Sequence, residues 1–562
     1  MRIITCSRFG SLNVRDTADA LIARAFIPTA VGFQQRFPME TPAGKNLEFI
    51  NTGLRSRRGS ELATDNSALL TDTNEAVIDA FCWRNPVTNA QIETLLTTHS
   101  ILTNQSGTWV RINNSGGTAY SHAATATKGR IDTVDGHIVY SFDGANKMQT
   151  YRSGADLDAG LTNAAAWEHS YDGSTDTITG TWPDATYITA VIHGRLCFCL
   201  GDNEVLVTPG ANTVSSGVWD LAGGTGKTLH VKGAIRMMAI LNPGSLDQRD
   251  SILYIGSAMG LSYMTGFASF DREEEGVDDE AALNHRAYFR TGNWLVYMTR
   301  NKNIKAVRGG QVIDLAARLR NVDEDGPLDL MDVDTSEDTA FGYYDPDNKM
   351  GGFFYSTEST RYNDSLITLD FKLGEPIAGE AQDSFELQRV RLMYSQIQNP
   401  DTNDWFCAVY KRDTGLIGVT RTGKLYTMNT GLNDMDSFPI EATCPWPDFT
   451  AGDADSPRQK QWFRFEQTFE TTGFWASNAR FYLNRDTASV DEYTITQAPT
   501  DAFIIGTSVI GDPLSGGGMV RNSHRINARS ETIRPEVENL DQDESMVLVS
   551  QSLTYEPLAI VR

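Results

Sequence analysis

Long apolar runs are missing from this chain. No segment reaches the roughly eighteen consecutive apolar residues that a membrane-spanning helix needs. The opening stretch MRIITCSRFG has neither an apolar core nor a small-residue cleavage site, so no secretory signal is expected. Cysteine is scarce, six in 562 residues, and no Cys-x-x-Cys pair is present to hold zinc. Only Cys197 and Cys199 lie close together. At i and i+2 on an expected strand they share a face, and burial as reduced thiols fits assembly in a cytoplasm. Positive charge is also short: Lys and Arg total 48 against 72 Asp and Glu, a formal charge of −24. Affinity for nucleic acid rests on cation–phosphate contacts, so this balance excludes a DNA-binding module. It suits a surface past which DNA slides without sticking.

Helical periodicity is equally hard to find. Two short helices are expected, over 87–98 (VTNAQIETLLTT) and 277–287 (VDDEAALNHRA). What is present instead is strand chemistry, with 48 Gly, 25 Phe and 19 Tyr. Apolar or aromatic runs flank Gly/Asn/Asp turns at 137–152, 195–210, 252–267, 293–315, 340–356 and 404–429. These units recur at uneven intervals of roughly 40–65 residues, the range of propeller blades. The expected fold is therefore all-β: a propeller of about six or seven blades over 76–438, with a run of stacked sandwiches as the alternative. Residues 1–75 read as an extended arm and assembly region. Residues 439–562 read as an antiparallel β-sandwich, in which Phe463, Phe465 and Phe469 share one face of a long strand.

Catalytic and nucleotide motifs fail on spacing. LAGGTGKT (221–228) ends like a phosphate-binding loop, but Leu221 stands where the first glycine belongs and a strand-like segment follows. It reads as a turn. No Gly-x-Ser-x-Gly elbow occurs, and the eight histidines are scattered. DPDNKMGG (345–352) begins like a calcium loop and lacks the closing glutamate. Among 72 acids a glycosidase pair remains conceivable, although SYDGSTDTITGTW (170–182) has the wrong spacing for a sialidase-type box. Neither catalytic residues, a cofactor nor a metal site is expected. DREEEGVDDE (271–280) concentrates seven carboxylates in ten residues, and a similar acidic loop spans 323–338. Such clusters read as solvated loops or as the rim of a channel. The candidate rim residues are Asp271, Glu273, Glu274, Glu275, Asp278, Asp279 and Glu280.

Two stretches carry a resemblance. SLNVRDTADALI followed by NLEFINTGLRSRRGSE places an apolar strand before an arginine-rich turn, here without proline. YYDPDNKMGGFFYS, then GKLYTMNTG, then a sandwich ending VSQSLTYEPLA repeats a propeller-plus-sandwich order. In both respects the chain resembles the tail nozzle, or tail tubular protein B, family of short-tailed bacteriophages. That resemblance implies a virion structural protein made in the host cytoplasm. Six copies would form a tube below portal and adaptor, meet tail fibres or spikes, and gate DNA that passes without specific binding. Arg55, Arg57 and Arg58 become candidates for a subunit or adaptor contact. The alternative is a propeller-type glycan-binding or glycoside-hydrolysing protein at the receptor-binding tip.

Overall fold

The computed structural model describes residues 2–558 apart from 13–20, 153–165, 169–174, 180–186, 208–217, 221–226, 242–250, 266–274, 317–332, 377–389, 446–458, 498–518, 540–545 and some shorter segments. The described residues are almost all strand and turn, and no helix among them is long and apolar enough to cross a membrane.

All six strand–turn–strand units pair as antiparallel hairpins. In the first, the Asp143-Gly144 turn requires a left-handed residue, and Gly144 supplies it at φ 71°. Each hairpin belongs to a small antiparallel sheet, and among the described residues seven such sheets follow one another along the chain. Their first strands are Val77–Arg84, Gly129–Val134, Thr189–Ile192, Ile235–Leu241, Tyr288–Arg290, Phe341–Asp345 and Phe406–Arg412. Six sheets have four strands; the second has three. A further small sheet, Ala166–Glu168 with Thr175–Thr179 and Val218–Asp220, is inserted around the third.

Alternation of side chains explains how consecutive sheets adhere. In Leu295–Met298 every residue is buried, because both faces of the sheet are covered. Val296 and Met298 join the apolar cluster shared with the sixth sheet, whereas Leu295 and Tyr297 join that shared with the fourth. Similar clusters lie between the first and second sheets, the third and fourth, and the sixth and seventh. Another holds Val77, Leu95 and Leu102 of the first sheet against Tyr410, Ile417 and Leu425 of the seventh. The seventh sheet thus packs back on the first. Its outer strand is Ser60–Asp65, which precedes all the other sheets in sequence. This is the arrangement of a β-propeller.

Most of the remaining described strands form two facing sheets. One runs Phe26–Thr29, Gly32–Gln35, Arg2–Cys6, Val547–Pro557, Lys460–Glu470, Met519–Ser530; the other runs Thr443–Pro445, Ile533–Asn539, Trp475–Leu483, Asp491–Gln497. They share a core containing Ile4, Trp462, Phe465, Phe469, Phe481, Val537 and Tyr555. Arg2–Cys6 is not an arm on the outside of the body. It lies between two strands, antiparallel to Val547–Pro557 and parallel to Gly32–Gln35.

Three expectations are corrected. Residues 91–97 form a strand, not part of a helix, and Glu275–Asp278 is a strand followed by turns. The spacing of Ile92, Leu95 and Leu96 is compatible with either period, and burial on both faces of Gln91–Thr97 selects the strand. Phe463 leaves the face of Phe465 and Phe469, because the ladder shifts register between Trp462 and Arg464. Trp462 takes the core position, its Nε1 donating to Ser530 Oγ at 2.8 Å.

Candidate functional site

The arginine turn closes on its own chain. Arg57 is buried, and its Nη1 and Nη2 donate to the two carboxylate oxygens of Asp434 at 2.9 and 2.6 Å. Arg55, half-buried, pairs with Glu48 across the hairpin Leu47–Ile50 and Gly53–Ser56. Only Arg58 of the three is exposed. Arg57 thus acts as an internal clamp: a guanidinium with two oxygens of one carboxylate already meets a strong partner.

The acidic cluster divides. Asp271, Glu273 and Glu274 lie outside the described residues, as does the glycine run 221–226. Glu275 opens the strand Glu275–Asp278. Asp278 and Glu280 both hold Lys305 Nζ, at 2.8 and 3.0 Å, and Tyr297 Oη donates to Asp278 at 2.6 Å. Burial would raise the Asp278 pKa, but the Lys305 and Tyr297 hydrogen bonds outweigh it and hold the carboxyl below its ordinary range. Neither acid is a solvated rim charge. Asp279, 95% exposed at the side chain, faces outward. In DPDNKMGG the carboxylate of Asp345 is likewise taken up, by Asn348 at 2.7 Å and Lys411 at 3.1 Å. Among the described residues no three His, Cys, Asp or Glu side chains are placed to hold a metal.

Beyond the glycine run, Lys227–His230 is a strand paired with Glu204–Val207, whereas a nucleotide loop opens a helix. Cys197 and Cys199 are both buried in the strand Arg195–Cys199. Burial also pushes the thiols of Cys407 and Cys444 up to about 12, which removes the thiolate a nucleophile needs.

The most concentrated polar chemistry lies where the sheets converge. Asn284, His285 and Arg286, in the turn before the fifth sheet, reach to four other sheets. Asn284 Nδ2 donates to Ala340 O at 2.9 Å, beside the sixth sheet, and Gly342 N donates to Arg286 O at 2.9 Å. A Cβ on Gly342 would sit 2.6 Å from Tyr288 O, so this approach requires glycine. His285 Nε2 lies 3.2 Å from Gly129 O, and Arg130 Nη1 donates to His285 O at 3.1 Å, both in the second sheet. The Arg286 guanidinium donates to Ile78 O in the first sheet and to Cys407 O in the seventh. Around this latch, Asp79 accepts from Ile131 N at 3.1 Å, and Asp132 accepts from Arg130 Nε at 3.1 Å and from Thr189 Oγ1. Burial pushes the Asp79 carboxyl above its ordinary range, against the pull of Arg286 and Arg130.

A glycosidase needs two carboxyl groups facing a substrate-sized gap. Asp79 and Asp132 instead bind their own chain, and two arginines balance them. The latch ties sheets together. Sequence reasoning missed it because 277–287 read as a helix; the signal was the polar triplet Asn284-His285-Arg286 between two strand-like runs.

One further buried group makes stability depend on pH. His122 Nε2 lies 3.0 Å from Thr97 O and its Nδ1 lies 3.0 Å from Tyr120 Oη, so a neutral ring with Nε2 protonated satisfies both. Burial lowers its pKa to about 4. A depressed histidine pKa means the unfolded chain binds the proton first, so this stability is complete above about pH 6.5 and is lost as pH falls toward 4. The loss is expected to reach about 3 kcal/mol. Urea unfolding at pH 7 and 4.5 should show it, and His122→Asn should remove most of that pH dependence. An equal slope in the variant would refute the assignment.

No protein-family model and no curated protein matches this chain. Among solved structures, it is similar to the BBS1N fragment bound to ARL6DN at TM-score 0.36 and 10% identity, over 66% of this chain and 98% of the other. The WD40 β-propeller domain of Doa1 gives TM-score 0.32 and 8% identity, over 66% and 96%. An exo-β-1,3-galactanase from Phanerochaete chrysosporium gives 0.25 and 9%, over 79% and 98%. With scores this low, the assignment of an all-β propeller rests on the sheets described above.

Proposed function

We propose that this chain is a structural subunit of the tail nozzle of a short-tailed bacteriophage, a wall element and not a catalyst. In this reading the seven sheets are seven blades of a closed ring, and the sandwich built from both chain ends is the assembly domain. Six copies surround a DNA channel below portal and adaptor.

The observation that carries the reading is the double tie between the two parts. Ser60–Asp65 completes the last blade, the strands just before it complete the sandwich, and Arg57–Asp434 locks the junction. A tube wall that transmits load during ejection needs such a tie, and a propeller gives it few exposed edges. The net charge of −24 supports the same role, because carboxylates offer passing phosphates no cation to grip.

Negative-stain microscopy of the purified protein, alone and with a portal–adaptor complex, tests this. Rings that cap the adaptor support it. A lone monomer that ignores the adaptor and hydrolyses polysaccharide overturns it in favour of the glycan-directed alternative.

A further inference from the structure

The sandwich carries a surface whose charge opposes that of the whole chain. Among the described residues Met519–Ser530 is the last strand of its sheet, and its ladder partner is Lys460–Glu470. Its twelve residues, MVRNSHRINARS, include three arginines and no carboxylate. Alternation puts Arg521, Arg525 and Arg529 on one face, all exposed, while Ile526 and Ser530 turn inward. At about 3.4 Å per residue, four-residue steps set the guanidiniums ~14 Å apart in a row. Arg464 on the neighbouring strand adds a fourth, 56% exposed. Glu466 lies between Arg464 and Arg521 and pairs with both, leaving the row net positive.

Charged residues on an edge commonly serve to repel other strands. Here that explanation is insufficient: to a chain of charge −24, a positive edge is attractive toward another copy. We propose that the Arg521–Arg525–Arg529 edge is the docking surface for a second copy of this chain, which presents a carboxylate-bearing surface to it. The contact is head-to-tail, since the two surfaces differ, and head-to-tail contacts close into a ring where the rotation between copies closes. The inference rests on the proposed nozzle reading and names the surface that builds its ring.

Sedimentation velocity on the full chain tests it, comparing wild type with Arg525→Glu/Arg529→Glu and with Arg525→Lys/Arg529→Lys. The glutamate variant is expected to self-associate at least tenfold more weakly, the lysine variant close to wild type, and both to melt as wild type does. Raising NaCl from 0.1 to 1 M shortens the screening length from about 10 to about 3 Å and should dissociate the wild-type oligomer. Rings that form as tightly in the glutamate variant as in wild type overturn this surface and leave the nozzle reading standing. A wild-type chain that stays monomeric even with the adaptor overturns the nozzle reading and this surface with it.

Discussion

Arg286→Ala is expected to destabilise the propeller by about 3–5 kcal/mol, the range for removing one partner from a buried charge network. The guanidinium does two things at once. It satisfies carbonyl oxygens of Ile78 and Cys407, which belong to the first and last sheets of the circuit, and it offsets the charge of Asp79. Truncation removes a donor from two acceptors, each worth about 1–3 kcal/mol when buried, and weakens the field that favours the ionised form of Asp79. Arg286→Lys should recover only part, since one ammonium cannot span both carbonyls in the fork geometry. Denaturant unfolding followed by tryptophan fluorescence measures the loss. The pH dependence then separates the two contributions. The folded Asp79 carboxyl has a raised pKa, so the unfavourable burial of its charge applies above that pKa and is relieved as pH falls through it. Without Arg286 that burden grows, and the gap between variant and wild type should narrow from pH 7.5 to 5. A gap that stays constant would mean that only the carbonyl contacts matter.

The latch also shows where sequence stops being informative. The hairpins were legible because Gly, Asn and Asp turns between aromatic or β-branched runs make a local signal, and all six pair as expected. Each of the six hairpins marks one small sheet; the sheet that begins at Val77–Arg84 carries none of them and covers the stretch that reads as a helix. What could not be read was long range. Nothing local in Ser60–Asp65 says that it pairs with Lys424–Met428, more than 350 residues away, or that Arg2–Cys6 pairs with Val547–Pro557. Ile533–Asn539 was hidden for another reason. Its buried residues alternate with Arg534, Glu536 and Glu538, so it looks polar while covering one face of the sandwich core. The candidate site suffered most. Arginine and aspartate look alike in sequence whether they meet solvent, a partner or each other; Arg57, Asp278 and Glu280 all proved to have partners within the chain.

Arg57 makes that point measurable. It is separated from Asp434 by 377 positions, and the side chains are 8% and 2% exposed. Parallel N–H···O bonds at 2.9 and 2.6 Å hold the turn after the Gly53–Ser56 strand against the segment leaving the last propeller sheet. Arg57→Ala removes the bidentate partner of the Asp434 carboxylate in a dry site, and Asp434→Ala leaves the guanidinium only the Arg58 and Gln396 carbonyls. Each should cost about 3–5 kcal/mol, and the double alanine variant should cost much less than the sum. An apolar pair of similar volume, Arg57→Met with Asp434→Leu, should return to within about 1 kcal/mol of wild type, because it removes the desolvation of both ions together. Urea unfolding of the four variants gives the coupling energy directly. The same series decides between the two roles open to this turn. An internal clamp predicts that Arg57→Ala lowers the unfolding midpoint of the monomer and leaves ring formation intact wherever the chain stays folded. A subunit contact predicts an unchanged midpoint and weakened rings. Both carboxylate oxygens of Asp434 are engaged by Arg57 and the pair is almost without solvent, so the first outcome is the expected one.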